Sequence, residues 1–310
     1  MYATLFDKRY MSRGITMGLS LLRHCKSSQL TILCLDLESE IGVNSLLPSK
    51  NVNVLRVSNL DLKVINQIRD NRNYREYCWA LSSLLCDYLL DQGTSEVVYL
   101  DADIYFLNDP SSILLEARGG DVAAIRHRFP NRLKHYEING IYNVQWVYFK
   151  NTLEGRRILA QWVSQCIESS SYDPENGVVG DQKYLDEWPQ ICPTFTNIET
   201  PGAGVAPWNH EIYQPRYNGG RWETVDGNPL VFYHFHGLRI EPQKKIELAG
   251  PIYSQVQDLP IALYIEYLRA LSNIEVKVNH LSDLPHPQEW EIAAQTWFQR
   301  LKRNSIHLSE

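Results

Sequence analysis

The sequence predicts an α/β fold, with a mixed, mostly parallel sheet flanked by helices and a helical extension at the carboxyl end. Along the amino-terminal third, short apolar runs alternate with helical patterns, a rhythm typical of parallel strands joined by covering helices. The chain has 310 residues, of which 44% are hydrophobic. This length and composition are ordinary for a globular protein and provide enough apolar chain for a sizeable core.

The strands are predicted by apolar runs that polar or turn residues bound on both sides. In chain order these runs are Tyr2–Phe6, Leu30–Leu35, Val52–Val57, Val97–Leu100, Asp121–Arg126, Val144–Phe149 and Leu230–Phe235. Two apolar stripes at helical spacing predict helices, one from about Asn73 to Leu90 and one along Leu159–Ile167. We interpret both stripes as faces that pack on the sheet.

Two further regions complete the predicted organisation. Between Pro193 and Pro229 no period holds, and prolines and glycines are interleaved with aromatic residues, which favours an ordered, aromatic-lined loop over a flexible linker. Beyond Gly250 the pattern is helical and ends in a predicted helix at Gln288–Arg303. We therefore expect one domain over residues 1–250 and a helical extension over 251–310 that packs on it.

Composition argues against several classes of protein. The net charge is −6, whereas proteins that bind nucleic-acid phosphates are typically basic, so we expect no nucleic-acid partner. We also expect neither a transmembrane span nor a signal peptide, because the apolar runs are short and polar Asp7-Lys8-Arg9 follows the first of them. Six scattered cysteines without a CxxC pair favour reduced thiols in a cytoplasmic protein.

The strongest chemical signal is a pair of carboxylates directly after an apolar strand. Asp101 and Asp103 follow Val97–Leu100, and because side chains alternate with period 2 in extended chain, both carboxylates face the same way. The carboxyl ends of strands are where open α/β sheets bind ligands. Two anionic oxygens on one side suit a hard divalent ion, so the pair predicts an Mn²⁺ or Mg²⁺ site.

A second candidate group is the run Tyr233-His234-Phe235-His236-Gly237 at the end of the last predicted strand. Strand alternation places His234 and His236 on one side, and an imidazole can complete an oxygen and nitrogen shell around manganese. Only one of them need be a ligand, and the pattern leaves open which one. Arg239, Lys244 and Lys245 follow as candidate cations for a diphosphate, with a solvated face as the alternative.

Together these motifs resemble the metal-dependent GT-A (Rossmann-like) glycosyltransferases, most closely the family 8 type of nucleotide-diphospho-sugar transferases. The matching runs occur in the family's order over about residues 2–240. They are Tyr99-Leu100-Asp101-Ala102-Asp103-Ile104, Tyr142-Asn143-Val144, Gly180-Asp181-Gln182, Trp208-Asn209 and His234-Phe235-His236-Gly237. The chain also looks like a bacterial branch of glycosyltransferases associated with surface polysaccharides.

The resemblance implies a role for each matching position. The implied metal ligands are Asp101, Asp103 and His234. The implied nucleotide-binding residues are Thr4, Leu5, Phe6, Tyr10, Ala102, Gly237 and Arg239. The donor sugar would face Asn143 and Gln145, with Asp181 and Gln182 as the catalytic residues beneath its anomeric carbon, although capping of a helix is an alternative role for Asp181. The implied acceptor-binding residues are Trp208, Asn209 and His236, and the aromatic loop Pro201–Trp222 suits a sugar ring.

Three positions depart from the family pattern. Gln145 stands where the family has a glycine, and the HxxG run is not followed by the usual Lys-Pro-Trp, which leaves Arg239 or Lys244 as the cation. On the helix before the metal motif, where an arginine commonly handles the donor, the chain has Trp79 and Ala80. These departures concern the donor side of the site, so they bear on the identity of the sugar.

The resemblance implies transfer of a sugar from a nucleotide-diphosphate donor, a UDP-sugar, to a glycan or glycolipid acceptor with retention of configuration. The alternatives are an inverting transferase of the same fold and a non-catalytic module that binds nucleotide sugars. A haloacid-dehalogenase-type phosphohydrolase also has a DxD after a strand, but there the motif begins the chain. For the Trp290–Arg303 region, packing on the body or on a second copy of the chain is favoured over peripheral contact with a membrane.

Overall fold

The computed structural model describes residues 1–173, 177–241, 245–253 and 259–281. The predicted helix Gln288–Arg303 and the candidate cation Lys244 lie outside these residues. The strands are β1 Tyr2–Phe6, β2 Leu30–Cys34, β3 Val52–Arg56, β4 Glu96–Leu100, β5 Ile104–Phe106, β6 Val122–Arg126, β7 Tyr142–Lys150, β8 Tyr172–Asp173, β9 Val178–Val179, β10 Phe195–Asn197, β11 Arg216–Asn218, β12 Arg221–Glu223, β13 Phe232–His234, β14 Arg239–Glu241 and β15 Lys245–Glu247.

The helices lie between these strands and after them. They are α1 Met11–His24, α2 Leu37–Leu46, α3 Leu62–Asp70, α4 Tyr74–Asp91, α5 Ser111–Ala117, α6 Leu153–Glu168, α7 Trp188–Ile191, α8 His210–Tyr213, α9 Gly250–Tyr253 and α10 Ile261–Leu281. Sequence-coded caps begin several of them. The Asn73 side chain accepts hydrogen bonds from the N–H groups of Arg75 and Glu76 at the start of α4, and Thr152 accepts one from Gly155 at the start of α6.

A seven-stranded sheet in the order β10-β6-β7-β4-β1-β2-β3 forms the centre of the molecule. Strand β7 runs antiparallel to β4 and β6, and the other neighbouring pairs are parallel. The predicted α/β fold with a mixed, mostly parallel sheet is therefore confirmed. Because parallel strands share a direction, the carboxyl ends of β1, β2, β3 and β4 meet at one edge.

Helices cover both faces of the sheet, as a mostly parallel sheet requires. Helices α3, α4 and α6 pack on one face in one apolar cluster, and α1, α2, α5 and part of α10 pack on the other. Ala3 and Leu5 of β1 face the first cluster while Tyr2 and Phe6 face the second, which is the strand alternation expected from period 2. Among the described residues, every helix is too short or too polar to cross a bilayer.

The region 193–229 differs from the predicted irregular loop. It contributes β10 to the edge of the central sheet, followed by the short helix α8 and a hairpin of β11 and β12. The hairpin turns at Gly219 and Gly220, which have φ angles of +56° and +85° that favour glycine. These elements are three or four residues long, and such short elements carry too few residues to show a period.

The cysteines are thiols, as the sequence predicts, and helix α10 lies within the predicted extension. All six cysteines are free thiols, and four of them are buried. Helix α10 packs against α1. Its Glu266 carboxylate accepts a hydrogen bond at 2.7 Å from the indole nitrogen of Trp222 on β12. Residues 261–281 thus lie on the sheet domain, close to the segment that follows β4.

Candidate functional site

The two predicted carboxylates and one of the two histidines meet at the carboxyl edge of the sheet. Strand β13 pairs antiparallel with β5, which places His234 opposite Ile104, and the N–H of Phe235 donates to the carbonyl of Asp103 at 3.0 Å. His234 Nε2 lies 3.0 Å from Asp103 Oδ1 and 3.9 Å from Asp101 Oδ2. One candidate ligand atom from each of the three residues lies within 4.8 Å of the others.

This cluster combines a buried base with two accessible carboxylates. The side chain of His234 is 2% exposed, whereas those of Asp101 and Asp103 are 31% and 15% exposed. Two carboxylate oxygens and one imidazole nitrogen that converge in this way fit a divalent ion such as Mn²⁺ or Mg²⁺. His236 is exposed instead, and its ring lies against Trp208 at a centroid distance of 5.5 Å. Among the described residues, only His234 joins the carboxylates in such a cluster.

In this cluster the pKa of each side chain depends on the charge of at least one of the other two. Burial raises the pKa of Asp101 to about 6, although the charge on His234 opposes this shift. Burial also opposes ionisation of Asp103, but its ion pair and hydrogen bond with His234 outweigh that cost and hold its pKa below the usual range. Burial likewise lowers the pKa of His234, but the same pairing with Asp103 reverses the shift and raises it. The three side chains therefore form a site that attracts one positive charge, either a proton or a metal ion.

Asp181 and Gln182 lie near this cluster, on the segment that follows β9. Gly180 precedes them with φ +55°, and a Cβ there would lie 2.9 Å from the ring of Trp79. Asp181 accepts a hydrogen bond from the hydroxyl of Ser82 on α4 at 2.6 Å. It does not cap a helix, because the 3₁₀ turn Lys183–Glu187 begins after Gln182 and has no side-chain cap. Burial, with a contribution from the charge of Asp101, raises the pKa of Asp181 to about 7.

A chain of amide hydrogen bonds orients Gln182. Asn143 Nδ2 donates to Gln182 Oε1 at 2.8 Å, and Gln182 Nε2 donates to the carbonyl of Asn139 at 2.8 Å. The other hydrogen of Asn143 Nδ2 points to His127 Nε2, also at 2.8 Å. Burial lowers the pKa of His127 to about 3, so its ring is neutral and Nε2 accepts this bond. The amide oxygen of Gln182 is thereby fixed beside Asn143.

Gln145, predicted to contact the donor sugar, is completely buried. Its side-chain oxygen lies 3.1 Å from Nδ1 of His234, and its carbonyl accepts a hydrogen bond from the N–H of Asp101 at 3.1 Å. Asn143 and Gln145 are two residues apart on β7. This one strand therefore contacts both the cluster of Asp101, Asp103 and His234 and the catalytic candidate Gln182.

The predicted nucleotide residues divide into buried and accessible positions. Thr4, Leu5 and Phe6 are buried within β1, and Ala102 is buried between the two carboxylates. Tyr10, at the start of α1, is 47% exposed. Gly237 has φ +74° and lies against the chain at Ala249, where a Cβ would approach a carbonyl oxygen at 2.8 Å. Arg239 is exposed, and its guanidinium lies 3.9 Å from Glu247.

Of the three predicted acceptor residues, Trp208 and Asn209 are buried and only His236 is exposed. Asn209 donates to the carbonyls of His127 and Gly204 while its oxygen accepts the N–H of Ala206. Its polar atoms are thus bonded within the protein. A further ring beside His236 is that of the buried Tyr253. The half-buried rings of Phe129 and Tyr136 lie against Trp208 and Tyr253, respectively.

Two arginines near the site were missed by the sequence analysis. Arg13 donates from Nη2 to the carbonyl of Leu238 at 3.1 Å, and its guanidinium lies 5.0 Å from the ring centre of Tyr10. Arg75 is exposed on α4, and its guanidinium lies 6.0 Å from the Trp79 ring. The available signal for Arg13 was its position one turn after Tyr10 on a helix that begins at the ligand-binding edge. Recognising it required the contact with the loop at Gly237, which sequence spacing does not show.

The central sheet with its covering helices is the fold of the GT-A glycosyltransferases. The solved structure of the galactosyltransferase LgtC, in complex with donor and acceptor sugar analogues, matches with a TM-score of 0.54 at 14% identity and covers 94% of this chain and 98% of that chain. No family model matches the sequence.

Two curated proteins of Bacillus subtilis (strain 168) match over most of their length. YfnF is 30% identical over 250 residues, which is 77% of this chain and 82% of that protein. YfnD is 27% identical over 262 residues, which is 83% of this chain and 83% of that protein. The chain belongs to the family of YfnF. Both relatives are uncharacterized proteins.

Replacement of Asp181 by asparagine should raise stability at neutral and alkaline pH. In the folded protein the pKa of Asp181 is raised from 3.8 to about 7, so between these values the unfolded chain loses the proton while the folded chain keeps it, and the free energy of unfolding falls as pH rises. At pH values above 7, ionisation of Asp181 costs the folded state about 4 kcal/mol. Asp181→Asn removes this cost. In urea unfolding, the variant should be the more stable one at pH 8 and the difference should shrink towards pH 4.

The matched control is Asp70→Asn, which changes an exposed carboxyl on α3. Its unfolding curves should follow those of the unchanged protein at every pH. A difference for Asp181→Asn that stays constant from pH 4 to pH 8 would mean that Asp181 is not held protonated by its surroundings.

Proposed function

We propose that this chain is a metal-dependent glycosyltransferase that moves a sugar from a nucleotide-diphosphate donor, a UDP-sugar, to a glycan or glycolipid acceptor. The observation that carries the proposal is the convergence of Asp101, Asp103 and His234 at the ligand-binding edge of a GT-A fold. Gln182 is linked to this cluster through β7, and the charge of Asp101 acts on the neighbouring Asp181. The resemblance to the family 8 motifs and the sugar analogues bound in the LgtC structure point to the same class of substrate.

The metal site is assigned to the leaving diphosphate. Asp101, Asp103 and His234 would hold the divalent ion, since their ligand atoms converge within 4.8 Å. When bound, the ion supplies Lewis-acid stabilisation of the negative charge that develops as the sugar–phosphate bond breaks. Parts of the Asp101 and Asp103 carboxylates are exposed to solvent, and phosphate oxygens have access from that side.

Arg13 is our candidate for the cation that accompanies the metal. The chain lacks the family's lysine after HxxG, and the alternative Arg239 is exposed beside Glu247. Arg13 lies close enough to Asp103 to help lower its pKa, and its guanidinium is held next to Gly237 by the carbonyl of Leu238. A guanidinium in this position can form charge-assisted hydrogen bonds with the diphosphate. The exposed ring of Tyr10 above it offers a stacking surface for the base.

Gln182 and Asp181 are assigned to the donor sugar. The reaction passes through an oxocarbenium-like state that an amide oxygen or a carboxylate can stabilise from below. The oxygen of Gln182 uses one lone pair for Asn143 and keeps the other. Asp181 is only 5% exposed and accepts the Ser82 hydroxyl, which sets it back from an incoming acceptor. We therefore favour retention, in which the departing phosphate accepts the acceptor's proton, over inversion with Asp181 as the base.

The acceptor is assigned to the aromatic surface beside His236. The rings of Phe129 and Tyr253 contact the buried Trp208, and Tyr136 packs on Tyr253. Trp208 itself contacts His234 at a centroid distance of 5.3 Å. Flat apolar faces next to polar edges suit a sugar ring. Trp222 of the β11–β12 hairpin belongs instead to the cluster around α10 and has a packing role. Tyr217 of the same hairpin is 62% exposed and lies against the Trp222 ring.

The metal assignment is tested by nucleotide binding. Asp101→Asn and Asp103→Asn each remove a carboxylate ligand, so neither variant should be stabilised by UDP and Mn²⁺. The unchanged protein should gain about 2.7 kcal/mol at a hundredfold excess over Kd and lose this gain in EDTA, as measured by thermal shift. The control is Asp109→Asn, an exposed carboxyl at the start of α5, which should respond like the unchanged protein. Stabilisation that persists in EDTA and in both site variants would refute the metal site.

The role of Arg13 is tested by comparing ligands with and without phosphates. Arg13→Gln keeps a donor for the Leu238 carbonyl but removes the charge, so Kd for UDP with Mn²⁺ should rise about tenfold, or ~1.4 kcal/mol, while the affinity for uridine should not change. Isothermal titration measures both. Arg23→Gln, an exposed position on the same helix, is the control. Equal losses for UDP and uridine would show that Arg13 acts only by holding the segment at Leu238 in place.

A further inference from the structure

Gln145 lies at an irregularity in strand β7 that turns it toward the metal cluster. On the β6 side the register jumps, because Ala124 is opposite Val147 but the next residue, Ile125, is opposite Asn143. On the β4 side the pairing continues to Leu100 opposite Trp146, and the N–H of Asp101 then donates to the carbonyl of Gln145 at 3.1 Å. A bulge of this kind is a known means of re-aiming a side chain next to an active site.

The side chain of Gln145 reaches the far nitrogen of the proposed histidine ligand. It is 0% exposed, and its Oε1 lies 3.1 Å from His234 Nδ1. An amide oxygen only accepts hydrogen bonds, so His234 Nδ1 must carry a proton to make this one. The other nitrogen, Nε2, is the atom that faces Asp103 at 3.0 Å and Asp101 at 3.9 Å.

The fold makes room for this amide. Gly204 has φ +72°, and a Cβ on it would lie 3.2 Å from Gln145 Nε2 and 2.6 Å from a methyl of Ile125. The glycine therefore opens the space into which the Gln145 amide fits. The ring of His234 is held from another side by the edge of Trp208, at a centroid distance of 5.3 Å. With Gln145 and Trp208 in place, both the plane and the protonated nitrogen of His234 are set.

We infer that Gln145 is a positioning residue for the metal centre, which fixes His234 in the tautomer whose Nε2 lone pair is directed at the metal ion. Its backbone carbonyl positions Asp101 at the same time, so one residue orients two of the three proposed ligands. This inference rests on the proposed function, because it assigns His234 as a ligand. It also gives a physical reason for a glutamine where the family pattern has glycine. Partners of this kind typically contribute 10-fold to 100-fold to metal affinity.

Mn²⁺ affinity at fixed pH, without nucleotide, tests the inference through two variants. Gln145→Met has similar length and volume but no acceptor for Nδ1–H, so Kd for Mn²⁺ should rise about 10-fold to 100-fold. Gln145→Glu keeps an acceptor oxygen, so its affinity should equal or exceed that of the unchanged protein. Both backbones still offer the carbonyl to Asp101. Titration of free Mn²⁺ by electron paramagnetic resonance gives the values, and circular dichroism confirms that the variants fold.

Gln165→Met is the matched control, because the Gln165 amide oxygen is also buried but belongs to α6 and has no hydrogen-bond partner among the described residues. It should leave Kd unchanged. Equal Mn²⁺ affinity of folded Gln145→Met and the unchanged protein would overturn the inference while leaving the metal site intact. Absence of Mn²⁺ binding by the unchanged protein would instead contradict the proposed function.

A measurement on the unchanged protein does not depend on the variants folding. Nitrogen-15 NMR of the histidine rings at alkaline pH, where His234 is neutral, should find its proton on Nδ1 and none on Nε2. A proton on Nε2 would overturn the inference, since Gln145 would then not accept a hydrogen bond from the ring.

Discussion

The candidate site depends on one strand pairing, that of β5 with β13. Strand β5 begins directly after Asp103, and β13 ends in His234, so their three residue pairs bring together ligands that lie far apart in the sequence. The hydrogen bond from the Phe235 N–H to the Asp103 carbonyl closes the pairing at the site itself. Because burial raises the free energy of isolated charges, the three ionisable groups are stable there only as partners of one another or of a cation.

Strand β7 joins this cluster to the proposed sugar site. It is the one strand of the central sheet that runs antiparallel to both neighbours, so its amino end reaches the edge at which β4 ends. Asn143 from that end holds Gln182, and Gln145 contacts His234 and Asp101. A shift of this strand would therefore disturb leaving-group and sugar contacts together. The hydrogen bonds of this buried polar network hold the side chains at this edge of the sheet in one arrangement.

Much of this arrangement could be predicted from the sequence, for identifiable reasons. Strand alternation placed Asp101 and Asp103 on one side of the sheet edge, since period 2 is a local property. Strand alternation could not decide between His234 and His236, because that choice depends on the register of β13 against β5, and only the family resemblance favoured His234. The burial of Gln145 and the contact of Arg13 with Leu238 were equally out of reach, as a bulge and a distant loop create them. Residues 282–310, with the predicted Trp290 helix, lie outside the described structure.

We propose that this edge of the sheet binds a metal ion and a nucleotide sugar, and that the sugar–phosphate bond is broken there. The most direct measurement is release of nucleoside diphosphate from a panel of nucleotide sugars, with and without saccharide acceptors, followed by mass spectrometry. We predict release from at least one UDP-sugar with Mn²⁺, loss of release in EDTA, and recovery when Mn²⁺ is restored. Binding of a nucleotide sugar without any release, or release that continues undiminished in EDTA, would contradict the account.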